Sequence, residues 1–120
     1  MTFETLHCNM AGAGAKTFVD KKLAQRKVLL FSKSTDPDCN VAKNIFTEFN
    51  LGHDIYEVVE IEKRQDCTQI ENYFQVLCLS DTREVPQLFI DGKYIGGWRE
   101  IPRLHKSGKL AEMVYNWKKK

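Results

Sequence analysis

The chain has 120 residues, of which 42% are hydrophobic and 28% charged, and its formal net charge is +2. That is the size of one domain of about 100–150 residues, and the composition excludes a disordered, collagenous or coiled-coil protein. A charge so near neutrality argues for neither nucleic acid nor a membrane surface as partner, and the pI of about 8.3 mostly reflects Lys118, Lys119 and Lys120.

No apolar stretch approaches the roughly 18–20 residues that cross a bilayer, and the leader 1–15 lacks the basic start and apolar middle of a secretory signal. A cytoplasmic location is therefore expected. Cys8, Cys39, Cys67 and Cys78 match no two-pair zinc spacing and are too sparse for a secreted disulfide scaffold, so they are expected to be reduced thiols.

The leader contains Gly12 and Gly14 and lacks periodicity, which predicts a flexible tail over 1–15, ahead of one folded domain over 16–117 and a basic tail over 118–120. Ala15, Phe18, Val19 and Leu23 fall at helical spacing. The run Lys27-Val28-Leu29-Leu30-Phe31 then predicts a strand buried on both faces. Asp36-Pro37 is a helix start, because a carboxylate can accept orphan amide hydrogens and proline at the first helical position gives up no bond. Val41, Ala42, Ile45, Phe46 and Phe49 form that helix's apolar face, and Gly52 is a plausible stop.

Branched and aromatic residues predict a strand over 55–61, and Asp66 with Gln69 resembles a capping box that opens a third helix. Ile70, Tyr73, Phe74, Leu77 and Cys78 supply its buried stripe. Gln87-Leu88-Phe89-Ile90, then Asp91-Gly92, then Lys93-Tyr94-Ile95 is a hairpin signal, since Asp-Gly suits the positive φ of a primed turn. Ile101 and Leu104, a break at Gly108, and Leu110, Met113, Val114 and Trp117 predict one helix or two short ones. Strands joined through a helix lie parallel and the hairpin is antiparallel, so the prediction is an α/β thioredoxin-like fold. It has a mixed four-stranded sheet with helices on both faces.

Three segments fall where such a fold concentrates function: 31–39, a strand running into a helix start; Glu84-Val85-Pro86; and Gly96-Gly97 after the hairpin. From Thr17 to Val114 the chain resembles a glutaredoxin, in its order of elements, its Val-Pro before a strand and its FIDGKYIGG hairpin. The resemblance implies a glutathione-linked thiol-disulfide oxidoreductase, an electron-transfer protein of redox homeostasis. Its co-substrate or ligand would be glutathione, and its partners glutathione or thiol and disulfide proteins, with no nucleic acid and no membrane, the protein being a monomer.

The resemblance also assigns residues. Glutaredoxins carry Cys-Pro-Tyr-Cys at the strand-to-helix turn, where free amides and the helix dipole stabilise the thiolate of the first cysteine. Here the segment is Asp-Pro-Asp-Cys, so Asp36 stands in the position of the nucleophile and removes the reactive sulfur, which implies impaired catalysis. Cys39 aligns with the second, resolving cysteine; it is either a substitute nucleophile or an inert helix cysteine, and the charges of Asp36 and Asp38 oppose its ionisation. Lys33 matches a lysine that pairs with a glutathione carboxylate. Val85-Pro86 matches a cis-proline turn that offers its backbone to an extended thiol peptide.

Gly97, with Gly96, is a natural seat for a γ-glutamyl carboxylate. Trp98 and Arg99 follow where the family usually has cysteine and then aspartate or serine. Glu71 stands near a family glutamine. These departures set the site against tight glutathione binding and leave, as the alternative function, a non-catalytic module that binds glutathione, a thiol peptide or a protein. The cluster chemistry of some glutaredoxins needs the first cysteine, so no iron-sulfur cluster and no metal is expected. Cys67 near Lys63 and Arg64 is either an incidental thiol or one of lowered pKa. Cys8 lies in the leader and Cys78 on an apolar stripe. His7, His53 and His105 are scattered, with no ligand spacing.

Overall fold

The computed structural model describes residues 3–78 and 85–116, with side chains over 14–74 and 85–115. Its elements in chain order are α1 (Phe3–Gln25), β1 (Val28–Ser32), α2 (Pro37–Thr47), β2 (Tyr56–Glu60), α3 (Cys67–Cys78), β3 (Gln87–Ile90), β4 (Lys93–Gly96), α4 (Glu100–Ser107) and α5 (Lys109–Asn116). The sheet order is β2-β1-β3-β4. β1 runs parallel to β2, with Leu30 opposite Val58, and antiparallel to β3, with Leu30 opposite Leu88. β3 and β4 form the predicted hairpin, and Asp91 and Gly92 take φ of 57° and 80° at its turn. Both positive angles belong to a primed two-residue turn, which Asp-Gly tolerates with little strain.

β1 is buried along its whole length because alternate residues serve opposite faces. Leu29 and Phe31 pack with Val19 of α1 and Ile70 and Phe74 of α3. Val28 and Leu30 pack with Ile45 and Phe46 of α2, Ile101 of α4, and Leu110 and Val114 of α5. The architecture is thus the mixed sheet with helices on both faces that the sequence predicts.

Three local expectations change. Helical geometry extends back to Phe3, well ahead of the predicted start at Ala15; the leader contains no proline, and its alanines favour helix while Gly12 and Gly14 each weaken it by about 1 kcal/mol. α2 ends at Thr47, and Asn50, with φ of 53°, takes the left-handed position before Gly52 is reached. The capping box does not form. Arg64 holds the Asp66 carboxylate at 2.8 Å and 3.1 Å, and the buried Gln69 Oε1 has no hydrogen-bond partner. The break at Gly108 does separate two helices, with φ of 86° closing α4. Glu84, Trp117 and 118–120 lie outside the described residues, as do the side chains of His7, Cys8, Leu77 and Cys78.

Candidate functional site

The end of β1, the start of α2, the start of α3 and the turn before β3 converge at one end of the sheet. Asp36 is the N-cap of α2, and its Oδ1 accepts hydrogen bonds from the amides of Asp38 at 2.8 Å and Cys39 at 3.2 Å. Those amides have no helical partner, and a carboxylate satisfies both their bonding and the positive end of the dipole. Pro37 occupies the first helical turn without losing a bond. Asp38 is exposed.

Cys39, one turn in, faces inward and is fully buried; it packs in the cluster that also holds Phe31, Phe74 and Val85. Its Sγ accepts a weak hydrogen bond from the Lys33 amide at 3.4 Å. Burial pushes the thiol pKa up and the charge of Asp36 adds to the rise, while the Lys33 amide, the Ser32 hydroxyl and Lys43 act the other way. Desolvation wins because a thiolate forfeits water that one long hydrogen bond does not replace.

Lys33 leaves β1 and its Nζ meets Glu71 Oε2 at 2.8 Å, with the two side chains 31% and 16% exposed. The hydrogen bond to Glu71 raises the lysine pKa above its ordinary value, and the charges of Cys67 and Asp36 contribute in the same direction. Cys67 opens α3 beside this pair. Its pKa is raised, chiefly by burial and then by Glu71, with Lys33 opposing. The lowered pKa considered for Cys67 is thereby corrected: Arg64 turns to Asp66 and lies 3.7 Å above the Phe18 ring, away from the thiol's service.

The Val85-Pro86 peptide is cis, and both residues are buried. Gly97 sits directly against this turn: a Cβ there would stand 3.1 Å from the Pro86 carbonyl oxygen, so glycine is what permits the approach. The Gly97 amide donates to Glu100 Oε1 at 2.8 Å, and the Gly97 carbonyl accepts from the Ile101 amide at 3.0 Å. Trp98 is 43% exposed, and the Arg99 guanidinium lies 4.9 Å above its ring. A match to the family described as Glutaredoxin spans residues 28–95.

The chain belongs to the glutaredoxin family. Its sequence is 32% identical over 114 residues to Glutaredoxin-C4 of Arabidopsis thaliana, covering 95% of this chain and 81% of that one. Oxidized glutaredoxin 2 from Chlamydomonas reinhardtii superposes with a TM-score of 0.75 at 32% identity, over 88% of this chain and 94% of that one. The buckwheat glutaredoxin–glutathione complex superposes with a TM-score of 0.76 at 25% identity, over 89% and 93%. The glutaredoxin family comprises glutathione-dependent thiol-disulfide oxidoreductases of thioredoxin-like fold.

Within that frame the structure brings Asp36, Cys39, Lys33 and Val85-Pro86 to one end of the sheet and sets Gly97 on the proline turn, while Trp98 and Arg99 stack on each other at the surface. Two side chains of the site escape sequence reasoning. Glu62 ties down the loop before α2, accepting from the Ser34 hydroxyl at 2.8 Å and also from the Ser34 amide; 28 positions separate the pair and no local pattern announces it. Glu100 follows Gly97 by three, the spacing at which a carboxylate reaches back to the amide that opens a helix, so its role was open to detection. Among the described residues no three His, Cys, Asp or Glu side chains group as metal ligands, and no helix is long and apolar enough to cross a membrane. His105 lies 3.6 Å from Glu48 and edge-on to Phe49, away from the site.

Proposed function

We propose that this glutaredoxin-family chain keeps the thiol-peptide groove of its relatives and carries out glutathione-linked disulfide exchange poorly, because Asp36 occupies the position of the nucleophilic cysteine. Lys33, Val85, Pro86 and Gly97 are the groove's binding residues in this reading, with Trp98 and Arg99 at its rim, and the free thiols of Cys39 and Cys67 suit a reducing compartment such as the cytoplasm. One observation carries the reading: the Asp36 carboxylate fills the amide seat at the start of α2, while Cys39, one turn further on, is buried with its pKa raised.

Exchange requires an accessible thiolate to attack a disulfide sulfur. A carboxylate held by the same amides attacks nothing of the kind, and Cys39 would have to shed its packing first. The cis turn buried beside Gly97 favours binding without turnover as the second reading, since that backbone geometry needs no cysteine to receive an extended chain.

A glutathione-coupled disulfide reduction assay separates the two. The parent is expected to turn over at least about tenfold more slowly than Asp36→Cys, which restores a sulfur at the helix end. Cys39→Ser is expected to leave the parent's residual rate unchanged. A parent rate equal to that of Asp36→Cys and abolished by Cys39→Ser would overturn the reading and make Cys39 the nucleophile.

A further inference from the structure

Three donor sites among the described residues of this groove already hold carboxylates of the chain's own. The Lys33 ammonium is paired with Glu71 at 2.8 Å, the Gly97 amide with Glu100 at 2.8 Å, and the α2 amides with Asp36 at 2.8 Å and 3.2 Å. Glu71 is only 16% exposed, so its contact with Lys33 is partly shielded from water, although Lys33 still reaches solvent. Resting on the reading of this groove as a thiol-peptide site, we infer that Glu71 and Glu100 determine its specificity. They occupy the two anion seats at the groove's ends, set it against thiol peptides with a carboxylate at each end, and favour thiol ligands whose termini are neutral.

The physical argument is competition followed by repulsion. A ligand carboxylate arriving at Lys33 must displace Glu71 from a 2.8 Å contact or lie beside it, and two carboxylates sharing one ammonium repel. At Gly97 the single amide hydrogen is already accepted, so the second carboxylate gains no bond unless Glu100 swings away. A ligand with amidated or esterified ends needs neither seat. It can still lie along the backbone at Val85 and place its sulfur toward the start of α2. Glutamine at either position keeps a carbonyl oxygen in roughly the same place but removes the charge, which makes Glu71→Gln and Glu100→Gln informative.

The test uses the full chain, labelled with nitrogen-15 and titrated with S-methylglutathione or its diethyl ester, with the amide resonances of Val85 and Gly97 as readout and thermal melts to confirm folding. The parent is expected to bind the diester at least about threefold more tightly than the free acid. Glu71→Gln is expected to tighten free-acid binding about tenfold, equivalent to about 1.4 kcal/mol, and to change diester binding less than about twofold. Adding Lys33→Met should erase the gain, because the gain depends on the released ammonium. Glu100→Gln should give a smaller gain of about threefold.

A parent that prefers the free acid, or a Glu71→Gln variant with unchanged free-acid affinity, would overturn the inference while diester shifts at Val85 left the groove reading standing. Absence of any shift from either ligand in every variant would remove both.

Discussion

Cys39 shows how little a sequence position says about reactivity without its surroundings. The thiol is one helical turn from Asp36, yet it faces the core with no measurable exposure, and its pKa is raised with burial as the leading cause. Slow alkylation by iodoacetamide follows: the folded protein at pH 8 is expected to modify Cys39 at least about tenfold more slowly than the denatured chain, as mapped by mass spectrometry. Equal rates in the two states would mean that the thiol opens to solvent. The same shift has a sign in stability. Because the folded pKa exceeds the unfolded value, this contribution is fully present below the unfolded thiol pKa of about 8.5 and is lost as pH rises toward the folded pKa. Denaturant midpoints should therefore fall above about pH 8.5 more steeply in the parent than in Cys39→Ala, and parallel profiles would contradict the assignment.

At the scale of the element, the start of α2 depends on Asp36. Asp36 satisfies two amides at the helix start, so Asp36→Ala is expected to destabilise the protein by about 1 kcal/mol in urea denaturation, and Asp36→Asn by less. An unchanged midpoint would show that water serves those amides as well. This cap is legible in the sequence, because Asp-Pro at the head of an apolar helical stripe is local chemistry, as is Asp91-Gly92 between two strands. The Asp66 box that the spacing predicts does not form, because Arg64, two positions away, takes the carboxylate at 2.8 Å. The pairing of Lys33 with Glu71 is not legible in the sequence, since it joins the end of β1 to α3 across 38 positions. Glu62 on Ser34 escapes for the same reason. Pattern reading finds contacts made within a turn of chain and is blind to those that only the folded sheet brings within 3 Å.

On the scale of the whole molecule, the Lys33–Glu71 pair and the buried core are separable, although Val85 belongs to the core cluster. The sheet is held by two buried layers, and in one of them Phe31 lies 5.1 Å from Phe74 and 5.8 Å from Phe89, in tilted and edge-on arrangements, under α1 and α3. The groove's ion pair, by contrast, retains contact with solvent through Lys33, which is 31% exposed, and contributes little to folding. Substitutions at such exposed pairs can therefore accumulate while the fold persists, and the chain superposes on Chlamydomonas glutaredoxin 2 with a TM-score of 0.75 at 32% identity. Phe31→Ala is expected to lower stability by about 3–5 kcal/mol, through lost transfer energy and the cavity left between the two neighbouring rings. For a domain of this size that is a drop in melting temperature of about 10–20 °C. Glu71→Gln in the same calorimeter should stay within about 1 kcal/mol of the parent, and a loss as large as that of Phe31→Ala would mean that groove and core form one cooperative unit.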